Sequence, residues 1–82
     1  MPVVLRVGPY RFLIYPGDRG EPMHVHVKRE RMKAKVWLDS PPGQVAVANP
    51  GGFSAVELRR IERLVRAYRP QLIEAWHELF RD

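Results

Sequence analysis

The chain has 82 residues, 45% of them hydrophobic, a formal net charge of +5 and no cysteine. That length holds one core of modest stability, which a homo-oligomer or another partner would supplement. The absence of thiols excludes a disulfide framework, a thiolate zinc site and a cysteine nucleophile.

The first stretch, MPVVLRVGPYRFLIYPG, has a short apolar run broken by Arg6 and Arg11. It has neither the layout of a signal peptide nor the roughly 20 apolar residues of a membrane helix. The expectation is a cytoplasmic protein with no membrane contact. Val3, Leu5 and Val7 alternate with Val4 and Arg6; Gly8-Pro9 punctuates; Tyr10, Phe12 and Ile14 then alternate with Arg11, Leu13 and Tyr15. This pattern predicts a hairpin whose second strand is apolar on both faces and therefore central or partly covered. Pro16–Gly20 reads as a loop.

Met23, Val25 and Val27 alternate with His24, His26 and Lys28, and Ala34, Val36 and Leu38 alternate with Lys35, Trp37 and Asp39. This pattern predicts two further strands, joined by a charged tip around Arg29–Lys33. Pro41-Pro42-Gly43 ends the second of them, and Gln44–Ala48 is a fifth strand candidate. Ser54 with Glu57 makes a capping box, with Phe53 placed to staple onto Leu58. Leu58, Ile61, Leu64, Val65 and Tyr68 then form the apolar stripe of a helix, with Arg59, Arg63 and Arg66 opposite as a solvated face. Pro70 interrupts and can open a second helix, in which Leu72, Ile73, Trp76, Leu79 and Phe80 share a face and Trp76 and Phe80 are core anchors.

Strands first and helices last predict an α+β domain. The expected form is one domain over 1–82: an antiparallel sheet of four or five strands over 2–48, then helices over 55–69 and 71–81 packed on one face. Val25, Val27, Val36 and Leu38 would face the helices, and His24, His26, Lys35 and Trp37 the other way, on a polar sheet face.

Residues 1–53 carry a net charge of +4 and residues 54–82 a net of +1. The basic excess favours a polyanion such as RNA. Arg11, Arg31, Lys33 and Lys35 are the expected phosphate contacts, and Trp37 offers a surface on which a base stacks. On a strand, His24 and His26 project the same way, about 6.5–7 Å apart. As acid and base, with Lys28 supplying charge, they would suit RNA cleavage without a metal or other cofactor. The alternative is a metal site formed by His24, His26 and His77, with Glu21, Glu74 or Glu78 as other third ligands.

The segments GPYRFLIYP, EPMHVHV, AKVWL, GFSAVELRRIERLV and LIEAWHELF together resemble a family of small prokaryotic proteins. The family is catalogued as Domain of Unknown Function forty-one-sixty, and the resemblance spans residues 2–80. The family pattern reads Glu-Pro-Pro-His-Val-His-Val; here Met23 stands where the second proline is usual. The resemblance implies a second small protein, encoded nearby, as a cognate partner in an arrangement similar to toxin–antitoxin pairs. It supplies no reaction. The leading expectation is a toxin-like protein that binds or cleaves RNA. A non-enzymatic module docking an acidic protein and a histidine-based metal-binding protein stand as alternatives.

Overall fold

Each stretch of alternating apolar residues becomes a strand, and the strands pair in the order in which they are made. The computed structural model describes residues 3–81. Strands β1 (Val3–Val7), β2 (Tyr10–Leu13), β3 (His24–Arg29), β4 (Met32–Trp37) and β5 (Ala46–Asn49) form one antiparallel sheet in the order β1-β2-β3-β4-β5. Helices α1 (Ala55–Ala67) and α2 (Arg69–Leu79) come after the sheet, so the fold is α+β. The expected strand start at residue 2 lies outside the described residues. Among the described residues no helix is long and apolar enough to cross a membrane.

Register explains the core. Phe12 stands opposite Val27, Val27 opposite Ala34, and Val25 opposite Val36. All five are fully buried, as are Leu38, and Ile61 and Val65 of α1; Leu72 of α2 is 1% exposed. Each such aliphatic side chain contributes about 1.5–3 kcal/mol through burial. Trp76 belongs to the same apolar cluster and Phe80 packs against it. Leu79, expected on that face, is 42% exposed.

Local chemistry moves several boundaries. Gln44 is drawn into a turn by donating its amide to the Pro41 carbonyl, so the fifth strand begins at Ala46 instead of Gln44. Ser54 caps α1 by accepting from the Glu57 amide at 3.2 Å. The Glu57 carboxylate does not complete a capping box. It accepts from Arg29 Nε at 2.8 Å, Arg29 Nη2 at 3.1 Å and the Tyr10 hydroxyl at 2.8 Å, tying the first turn of α1 to two strands. Tyr68 closes α1 and opens α2, with Pro70 in the first turn. Arg69 fixes that junction by donating to the Leu38 carbonyl and to Asp39. The β3–β4 turn contains only Glu30 and Arg31, because Arg29 pairs with Met32. Arg29, Met32 and Lys33, expected in the tip, therefore lie within strands.

Candidate functional site

Side chains alternate along a strand, so the residues between the core positions share the second face of the sheet. Three cross-strand rows run over it. Nearest the β3–β4 turn, Arg6 stands opposite Arg11, Arg11 opposite Lys28, and Lys28 opposite Lys33. The next row is Leu13, His26, Lys35 and Asn49. The third is His24, Trp37 and Ala46, at the end where β2 leaves the sheet.

The first row is a line of four cations across four strands. Directly opposed like charges destabilise a strand pair. Arg6 and Lys33 are exposed, and Arg11 and Lys28 half-buried. Among the described residues none of the four has a carboxylate within ion-pair distance. Lys33 rests its ammonium 4.9 Å from the Tyr15 ring centre. Gly51, just after β5, lies against the backbone of β4 at Lys33. It holds φ +60°, its carbonyl accepts from the Lys33 amide at 3.3 Å, and a Cβ there would overlap the Lys33 carbonyl. The other expected phosphate contacts are placed differently. Arg31 is exposed at the turn. Lys35 is ion-paired to Glu21 at 2.6 Å and lies 4.8 Å over the half-buried Trp37 ring.

The third row is closed over. After β2, the sequence Pro16-Gly17-Asp18 makes a single 3₁₀ turn. It is fixed by the Tyr15 amide donating to Asp18 Oδ2 at 2.9 Å and the Asp18 amide donating to the Tyr15 carbonyl at 2.9 Å. This turn brings the Asp18 carboxylate onto the histidines. His26 Nε2 lies 3.2 Å from Oδ2 and His24 Nε2 lies 3.2 Å from Oδ1. The His24 ring also packs edge-on against His26 and Trp37 and tilted against Trp76, with centres 5.0, 5.6 and 5.4 Å away. The expected polar, solvated face therefore fails at this end. His24 is 0% exposed and the His26 side chain 14%.

Burial corrects the catalytic reading at one position. A ring with no exposed atom cannot meet a substrate hydroxyl, so His24 is not placed to act as acid or base; His26 and Lys28 retain access. His77 is exposed on α2 and outside the group of potential metal ligands among the described residues, which is Asp18, His24 and His26. Glu74 and Glu78 are exposed on the same helix. Asp18 is the residue that sequence reasoning missed. A turn of proline, glycine and aspartate shortly before a His-x-His strand was the available signal, since such a turn can fold an acid back over the strand it precedes.

Electrostatics within the cluster favour an ionised Asp18 and a neutral His26. Burial would raise the Asp18 carboxyl, but the Tyr15 amide, His24 and His26 outweigh it and hold it below the usual range. Burial pushes His26 below its ordinary value, against the opposing pull of Asp18. His24 Nδ1 is 2.9 Å from the Pro22 carbonyl. A carbonyl only accepts, so Nδ1 carries the proton. In the neutral ring Nε2 is then a bare lone pair. Although within ion-pair distance of Asp18, it approaches off the hydrogen-bond axis and has no hydrogen-bond partner among the described residues. An orphaned buried polar atom of this kind costs about 1–3 kcal/mol. Among the described residues the surface has no pocket, so the face offers a small molecule no enclosed site.

An antiparallel meander backed by two helices, with an acid and two histidines closed in at one end, defines the class. The chain matches the family described as Domain of unknown function (DUF4160) over residues 10–77 and belongs to it. No curated protein and no solved structure matches the chain.

Proposed function

We propose that the chain is a small cytoplasmic RNA-binding protein that holds a single strand across the second face of its sheet. The observation that carries this reading is the row Arg6, Arg11, Lys28 and Lys33. Strands lie about 4.8 Å apart, so the row extends about 14 Å, the scale of a short run of sugar–phosphate backbone. A polyanion laid along it removes the repulsion among four opposed cations and releases its own counterions. Trp37 and Tyr15 lie on the same face and supply rings on which bases stack. The family resemblance supports a cognate small protein that regulates this surface in a toxin-like pair. Cleavage is not part of the proposal, because the two-histidine scheme loses His24 to burial.

Fluorescence anisotropy with a labelled single-stranded RNA oligonucleotide at low salt tests it. Binding is expected, with the double variant Arg11→Gln/Lys28→Gln weakened by about tenfold or more and the RNA recovered intact. If a polyglutamate peptide binds and the RNA does not, the surface belongs to an acidic protein partner and the proposal is wrong.

A further inference from the structure

Asp18, His24 and His26 come from two segments that the fold forces together, and Asp18 and His24 are each held by a further hydrogen bond. The Pro22 carbonyl takes the Nδ1 proton of His24 at 2.9 Å, and the Tyr15 amide donates to Asp18 Oδ2 at 2.9 Å. That is how metal ligands are held. A ligating imidazole gives its other N–H to a carbonyl or carboxylate, which fixes the tautomer and aims the free lone pair. In His24 that lone pair is wholly buried, lacks a hydrogen-bond partner and faces a carboxylate oxygen 3.2 Å away. Two acceptors facing one another are satisfied by a proton or a metal ion between them.

We propose that Asp18, His24 and His26 form a metal centre for zinc or a neighbouring first-row divalent ion. The spacing agrees with this. Ligands about 2.0–2.2 Å from a tetrahedral zinc ion stand about 3.3–3.5 Å from each other. Asp18 Oδ1 lies 3.2 Å from His24 Nε2 and 3.4 Å from His26 Nε2, and the ligand atoms of the three residues lie within 4.8 Å of one another. The donor set selects the ion: imidazole suits zinc and its neighbours, whereas magnesium and calcium call for oxygen throughout. Three protein ligands leave one position open. It lies on the side of His26 and Asp18, whose side chains are 14% and 12% exposed, while Trp37 and Trp76 wall off His24. Water or a group from a partner completes the sphere there. This centre is independent of the RNA-binding reading, since the row of four cations contributes no ligand to it.

Calorimetric titration of zinc chloride into chelator-treated, full-length protein at neutral pH tests the proposal. One ion per chain is expected, accompanied by a rise in melting temperature. Asp18→Asn and His26→Ala should each weaken binding by at least about tenfold, and His77→Ala should leave it unchanged. Cobalt(II) added to the unmutated protein reads coordination directly, whether or not the variants fold: the intense visible bands of a four-coordinate ion are expected. No binding, equal binding by His26→Ala, loss of binding in His77→Ala, or only the pale spectrum of six-coordinate cobalt would each overturn the proposal.

Discussion

Beside the β3–β4 turn, Arg6, Arg11, Lys28 and Lys33 oppose one another with no carboxylate among them. At the far end of the same face, His24 and His26 share the Asp18 carboxylate beneath a 3₁₀ turn and two tryptophans. One register makes both. The difference lies in the connection that leaves each end of the sheet. A two-residue turn folds nothing back over the cations, so Arg6 and Lys33 stay exposed and Arg11 and Lys28 half-buried. The longer excursion from β2 to β3 folds back over the histidines. Charge left unpaired at an open end suits a partner that brings opposite charge, whereas polar atoms enclosed at the other end must be satisfied from within or by an ion.

The largest contrast should come from Trp76, which is 7% exposed and packs against His24 and Phe80. Trp76→Ala removes the wall of the closed end and should cost about 3–5 kcal/mol in urea unfolding. Arg11→Gln/Lys28→Gln at the open end should cost nothing there. Equal losses would mean that the two ends do not differ in kind.

Gly51 holds β4 at the open end through Lys33. Gly51→Ala places a Cβ into the Lys33 carbonyl at a left-handed φ, and should destabilise by about 1–3 kcal/mol. RNA affinity should fall with it, because the displaced strand carries Lys33. An unchanged melting temperature would show that the loop does not set the position of β4.

Ser54→Ala should cost about 1 kcal/mol, since Ser54 caps α1. RNA affinity should not change, because α1 lies against the core face. A loss of binding in this variant would move the interface to the helices.

The smallest effect is one of pH, and it tests the core side as a control. Glu57 is held below the usual carboxylate range, first by its hydrogen bonds from Arg29 and then by Tyr10. A depressed carboxylate binds fewer protons folded than unfolded. Its contribution is therefore full above the ordinary glutamate range and is lost as pH falls through the folded value. Melting temperature should drop across that acidic window, and by less in Glu57→Gln. An equal drop in both would remove Glu57 as a source of the pH dependence.

The core face was legible from alternation alone. Val25, Val27, Val36 and Leu38 are apolar at every second position, and burial is what that pattern encodes. The cap at Ser54 was legible as well, because it is made within one turn. The second face was legible in direction and not in depth. His24, His26, Lys35 and Trp37 do share it, but nothing periodic in Pro16–Gly20 says that Asp18 returns over the histidines. Arg6 does not stand out in the sequence as a binding residue, because its place in the row depends on the β1–β2 register. That register comes from the two-residue turn at Gly8-Pro9, which pairs Val7 with Tyr10. Lys33 reads in the sequence as part of the tip, because residue order alone does not show how short the β3–β4 turn is.

The central claim is that four opposed cations hold a single strand, and the salt dependence of RNA binding tests it most directly. If each of Arg6, Arg11, Lys28 and Lys33 neutralises one phosphate, log K should fall against log salt concentration with a slope of about −2.8. Lys28→Gln should make that slope shallower by about 0.7. A slope near zero, or one unchanged when Arg11 and Lys28 are both glutamine, would contradict the account.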